Sequence, residues 1–157
     1  MKNKVLIGIL AFMAVGVATY LAMRLLTTER QRVERVVRGL ARRIERRDPG
    51  GLCQLLAEDY RDSHGFDRLA VRSLVTQAVG YLTRISIRIE DLQVTVNGEA
   101  ATAEFAASAT AEAPERTQQP PWRHQTRVRL ELRKAEGEWR VRRAEYALPP
   151  IVEREGL

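Results

Sequence analysis

Asp59, Tyr60 and Asp62 place two carboxylates and a phenol within four residues. Such a set performs proton transfer when a carboxyl is drawn into an apolar cavity, where desolvation raises its pKa. Glu145 joins them unless strand parity slips at Arg142-Arg143, which would bring Ala144 and Tyr146 inward in its place; Glu90, Asp91, Glu104 and Glu131 fall at outward or bulge positions. His124 shares parity with Val128 and Leu130, so it points inward, either as a satisfied core residue or against a ligand. His64 sits in a Gly-containing turn and is expected in water. Two histidines without a third ligand do not make a zinc site. Cys53, the single cysteine, excludes a disulfide framework and a thiolate metal site. No catalytic residue, metal ligand or cofactor is assigned, and the candidates for a ligand pocket are Tyr60, Phe105, His124, Trp139 and Tyr146.

A second chemistry is charge. Of 26 basic residues all but Lys2, Lys4 and Lys134 are arginine, and the formal net charge is +6. Arg127, Arg129, Arg133, Arg140 and Arg142 would project from the outer face of the last two strands as a basic surface. It lacks the interleaved aromatics that stack bases, and Glu131 and Glu138 dilute it. A solvated face, or one pairing with Glu104 across strands, is expected, and no nucleic acid.

The elements that must position these groups begin with Val5 to Leu26, uncharged except for Arg24. The uncharged stretch from Val5 to Met23 would be about 28 Å long as a helix, against about 30 Å of bilayer hydrocarbon. It is read as an uncleaved transmembrane anchor (5–26) after a short tail (1–4), contacting the lipid bilayer. The run exceeds a signal-peptide core, and its best small-x-small site, Ala14-Val15-Gly16, lies inside it. Ala11, Ala14, Ala18 and Ala22 form a small-residue ridge suited to self-association. The Lys-bearing tail favours a domain outside the cytoplasm, whereas Arg24, Arg30, Arg32, Arg35 and Arg38 count the other way. The expectation is a single-pass inner-membrane protein with an extracytoplasmic domain.

Thr28 with Gln31 reads as a capping box, opening a helix with Val33, Val36, Val37, Leu40 and Ile44 on one stripe. Asp48 and Pro49 start the next helix, which carries Leu52, Leu55 and Leu56 inward. A third helix, about Asp67 to Thr83, buries Leu69 or Ala70, Leu74, Val75, Ala78 and Leu82. The period then becomes two: Ile85, Ile87 and Ile89, then Leu92, Val94 and Val96 after a parity slip at Glu90-Asp91 that signals a β-bulge. Asn97-Gly98 turns the chain into a return strand with Ala101, Ala103, Phe105, Ala107 and Ala109 on one face. A loop from Ala111 to Pro121, a third strand through Leu132, a turn at Glu136-Gly137, and a last strand from Trp139 to Tyr146 complete the pattern. The fold class expected is α+β: a transmembrane helix, then three helices on a bent four-stranded antiparallel sheet (28–148), and a tail (149–157).

Arg46-Arg47-Asp48-Pro49-Gly50-Gly51-Leu52, Leu56-Ala57-Glu58-Asp59-Tyr60, the Asn97-Gly98 hairpin and Gly137-Glu138-Trp139-Arg140-Val141 together resemble the nuclear transport factor 2-like superfamily. The resemblance runs from about Thr28 to Ala147 and is closest to uncharacterised bacterial members behind a signal or lipid anchor. It implies a cone, a curved sheet around a long helix, with an apolar cavity between them in many members. The usual long first hairpin is reduced here to a stub near Tyr60 to Asp62, which argues against a deep cavity. Ketosteroid isomerase and the polyketide cyclases, members of that superfamily, work in such a cavity; no position here matches the isomerase motif, and no isomerase or cyclase activity is expected. The first functional expectation is a membrane-tethered, noncatalytic binding or scaffold module for a protein partner, similar in layout to type IV secretion inner-membrane scaffolds. The alternative is a small hydrophobic-ligand pocket or an isomerase- or cyclase-like enzyme. A void beside Ala101 to Ala109, lined also by His124 and Tyr60, favours the second; Leu and Phe side chains filling it favour the first.

Overall fold

A computed structural model describes residues 2–114 and 120–147, except for the side chains of 2–12, 14, 25 and 26. Ala11 and Ala14 of the ridge, part of the long loop, and the C-terminal tail therefore fall outside the described set.

Helix α1 (Lys2–Glu45) is continuous. The capping box expected at Thr28 does not form, because nothing between Arg24 and Arg32 breaks the helix. Instead the hydroxyl of Thr28 donates to the Arg24 carbonyl (3.0 Å) and that of Thr27 to Met23 (2.9 Å), bonds that a helix interior allows. Val33, Val37 and Ala41 bury the inner stripe. Arg47, at φ 57°, ends the helix, and its guanidinium bonds to the carbonyls of Leu82 and Thr83.

Helix α2 (Pro49–Gln54) starts as expected, with Asp48 Oδ1 accepting from Gly51 N at 2.8 Å. It is shorter than expected. Leu56 is already in strand β1 (Leu56–Asp62), which runs parallel to the last strand, so the sheet has five strands rather than four. The spacing of Leu52, Leu55 and Leu56 imitates a helix because the strand carries an irregularity between Leu56 and Arg61, which breaks its alternation.

Helix α3 (Arg68–Tyr81) is capped by Asp67, whose Oδ1 accepts from Ala70 N. Its inward side is Val71, Val75 and Val79; of the pair Leu69 or Ala70, Leu69 is 73% exposed and Ala70 half-buried, and Ala78 is exposed, contrary to expectation. Choosing Val79 over Ala78 rotates the face by one residue, which the evenly apolar sequence of this helix does not resolve.

Strands β2 (Arg84–Asn97), β3 (Ala100–Glu112), β4 (Trp122–Ala135) and β5 (Glu138–Glu145) form an antiparallel meander, in the sheet order β1-β5-β4-β3-β2. The bulge lies where expected: Asp91 has φ 53° and the register shifts between Glu90 and Gln93. Gly98 (φ 61°), and Glu136 with Gly137 (φ 53° and 82°), turn the hairpins in backbone regions that glycine enters freely. The slip at Arg142-Arg143 is present too, leaving both exposed and Ala144 buried. The core joins Val33 and Val37 to Leu56, Phe105, Leu130, Leu132, Trp139 and Val141.

Candidate ligand cavity

Between α1, α3 and the concave face of the sheet lies a cavity of about 330 Å³. Val37, Leu40 and Ile44 supply one wall, Val71 and Val75 another, and Ala107 and Ala109 the third. The cavity exists because β3 presents alanines where longer side chains would reach the helices. Phe105 and Leu130 line it without filling it. Its size falls at the lower end of small-molecule pockets.

Among the described residues, Tyr60 and Tyr146 alone line it with polar side-chain atoms. Tyr146 donates to Asp62 Oδ2 at 2.6 Å. The carboxylate of Asp62, 5% exposed, also accepts at Oδ1 from the backbone N–H groups of His64 and Phe66, both at 2.9 Å. These donors come from the turn after β1, so the tight Asp62-to-Phe66 loop satisfies the buried charge. Burial, and then the hydrogen bond to Asp62, hold the Tyr146 phenol well above its ordinary pKa of 10; burial, and then the Asp62 charge, do the same to Tyr60. Both are therefore neutral at physiological pH. The Tyr146 proton is committed to Asp62, whereas the Tyr60 hydroxyl has no hydrogen-bond partner among the described residues. Among the described residues the cavity offers one uncommitted donor, phenolic oxygens as acceptors, and no cation.

Of the five residues nominated for a pocket, Tyr60, Phe105 and Tyr146 line this cavity and two do not. His124 is half-buried, stacks on Trp122 (5.6 Å between ring centroids) and places Nε2 3.3 Å from the Ala147 carbonyl. Trp139 packs at the other end of the core, where its indole N–H donates to Glu29 Oε2 at 2.6 Å. His64 is exposed as expected, but it is not merely solvated: Nε2 lies 2.9 Å from the Tyr146 carbonyl.

The three candidate bases separate cleanly. Asp59 is exposed and pairs with Arg142 (3.0 Å) and Arg133 (3.8 Å). Glu145 is exposed as well. Only Asp62 is buried, behind Tyr146 rather than on the cavity wall. Sequence reasoning missed Val71, Val75, Ile87 and Ile89 as cavity walls, although their inward parity was the available signal for the two isoleucines. On the outer face Arg129 pairs with Glu104 (3.4 Å) and Arg140 with Glu138 (3.3 Å), while Arg127 stays exposed. Among the described residues, no group of three His, Cys, Asp or Glu is arranged to hold a metal ion.

No family model matches this chain, and no curated protein does. Solved structures do. An NTF2-like protein with a cystatin-like fold from Novosphingobium aromaticivorans is 23% identical over 84% of this chain and 90% of its own, with a TM-score of 0.66. A provisionally assigned scytalone dehydratase from the same organism is 17% identical over 76% of this chain and 83% of its own, with a TM-score of 0.70. An NTF2-like superfamily protein from Salmonella enterica serovar Typhimurium is 18% identical over 78% of this chain and 92% of its own, with a TM-score of 0.63. The bent five-stranded sheet wrapped on α1 and these likenesses lead to one conclusion: the chain has the cystatin-like α+β fold of the nuclear transport factor 2-like superfamily.

Proposed function

We propose that this domain binds a small, neutral, apolar molecule carrying one hydrogen-bond acceptor, while tethered to a membrane by Val5 to Leu26. The carrying observation is the 330 Å³ cavity in which, among the described residues, two phenols are the polar side chains of an otherwise apolar lining. An anionic ligand would lie near the Asp62 carboxylate with no cation to pair it, an arrangement that costs several kcal/mol. A neutral carbonyl or ether oxygen can instead accept from Tyr60. Similarity to structures named for dehydratase and ring-hydroxylase activities is consistent with an apolar pocket.

The anchor rests on the sequence. Among the described residues no helix is long and apolar enough to cross a membrane, but the side chains of 5–12, 14, 25 and 26 lie outside that set. The described part of the run favours the tether: Met13, Val15, Val17, Tyr20, Leu21 and Met23 are each at least half exposed, apolar around the helix. Such a surface calls for lipid. The domain is placed outside the cytoplasm on the Lys-bearing tail.

Organic extraction of the full chain purified from native membranes, followed by mass spectrometry, tests the binding reading. The wild type should yield a neutral apolar compound that is absent from Ala107→Phe, which fills the cavity. Equal recovery from both proteins, or none from either, would refute it.

A further inference from the structure

We infer that the outward stripe of α1 docks an acidic peptide segment of a protein partner. Arg35, Arg38 and Arg42 recur at three- and four-residue steps on one face of α1, and Arg46, in the turn just past its end with its N–H donating to the Arg42 carbonyl, continues the row. All four are exposed, and none has a carboxylate partner among the described residues. Their neighbours differ: Arg30, Arg32 and Arg43 are paired with Glu34, Glu29 and Asp48. Arg35 and Leu55 are shared by two adjoining clefts, of about 590 and 420 Å³, the second lined by Arg42 and Arg46 as well. Gly39 floors that second cleft, where an added Cβ would come within 3.2 Å of Leu55 Cδ1. Small and apolar residues thus make a seat beside the charges.

Spacing and height select the occupant. One helical turn separates the last arginines by about 6 Å, close to the ~6.7 Å between alternate side chains of an extended strand. Acidic residues at every second position of a peptide would therefore meet them in register. Because α1 is continuous, the tether proposed above sets the height of the stripe. Arg35 lies about 13 Å and Arg42 about 24 Å beyond Leu26, past a headgroup layer roughly 5–8 Å thick. Lipid headgroups do not reach the upper half.

The test uses the full chain in phosphatidylcholine nanodiscs and a fluorescent dodecapeptide with glutamate at alternate positions, read by anisotropy. Wild-type binding should be saturable and salt-sensitive, and should weaken about tenfold or more in Arg35→Glu/Arg42→Glu/Arg46→Glu. The same loss of charge elsewhere, in Arg84→Glu/Arg123→Glu/Arg127→Glu, should change it less than threefold. Equal weakening in both variants, or no saturable binding, overturns the inference. A photoreactive residue replacing Arg38 should crosslink to the peptide. Crosslinking to lipid instead, or tighter binding of a single-stranded oligonucleotide through the same arginines, reassigns the stripe and overturns it too. Ala107→Phe should leave peptide binding unchanged, which separates this surface from the cavity.

Discussion

The hydroxyl of Tyr146 rests 2.6 Å from Asp62 Oδ2, joining the end of the last strand to the first strand of the sheet across 84 residues. The bond holds the buried carboxylate behind the cavity wall and consumes the one proton Tyr146 could offer a ligand. Removing it in Tyr146→Phe should cost about 1.5–3 kcal/mol, the range for a hydrogen bond to a charged group. Asp62→Ala should cost more, because it strands Tyr146 and the N–H groups of His64 and Phe66. Urea denaturation of both variants followed by near-UV circular dichroism checks the order; equal or negligible losses would show that water replaces the bond.

The same phenols fix an alkaline limit. A group whose pKa is raised on folding stabilises fully below its unfolded value and loses that contribution as pH rises above it. For Tyr60 and Tyr146 the unfolded value is about 10. Stability should therefore decline above pH 10 more steeply in the wild type than in Tyr60→Phe/Tyr146→Phe. Parallel declines would show that the phenols are not shielded.

Trp139 fastens the sheet to the part of α1 that leads toward the apolar run. It is 4% exposed, and Trp139→Ala should cost about 3–5 kcal/mol. Its partner Glu29 also meets Lys134 at 3.1 Å and Arg32 at 3.3 Å. The Trp139 hydrogen bond, foremost, holds the Glu29 carboxyl below its ordinary 4.5. A depressed carboxylate stabilises above its unfolded value and loses that as pH falls through the folded one, so stability should drop below about pH 4.5. Glu29→Gln should flatten that acid limb; an unchanged limb would place the titration elsewhere.

Orientation is open to a direct assay. Arg127→Cys puts a thiol on the exposed face of the sheet, and Cys53 is buried. An impermeant maleimide should label this variant in intact spheroplasts. Labelling only after lysis would put the domain in the cytoplasm.

The sheet was legible where side chains alternate and glycine turns the chain. Ile85 to Val96 and Asn97-Gly98 announced their geometry because one residue out of phase moves every side chain to the other face, whereas the slip at Arg142-Arg143 was one of two readings the alternation allowed. Leu56 to Asp62 was not legible as a strand, since it pairs with β5, far away in sequence, and its irregularity hides the alternation. The joint at Thr28 misled because a threonine hydroxyl serves a helix start and a helix interior equally well. Phe105 was found from inward parity and Tyr60 from its place between Asp59 and Asp62; the cavity was not found, because the space left by Ala107 and Ala109 depends on how closely α3 approaches.

The decisive measurement is equilibrium dialysis of the full chain in nanodiscs against 2-ethylnaphthalene, 2-acetylnaphthalene and 2-naphthoate. Ala107→Phe discs serve as the blank for partitioning into lipid. The ketone should bind about fivefold to tenfold more tightly than the hydrocarbon, as one uncommitted donor allows. The carboxylate should bind weakest, and Tyr60→Phe should erase the ketone's advantage without weakening the hydrocarbon. Binding of all three equal to the Ala107→Phe blank, or tightest binding by the carboxylate, would contradict a cavity built for a neutral apolar ligand.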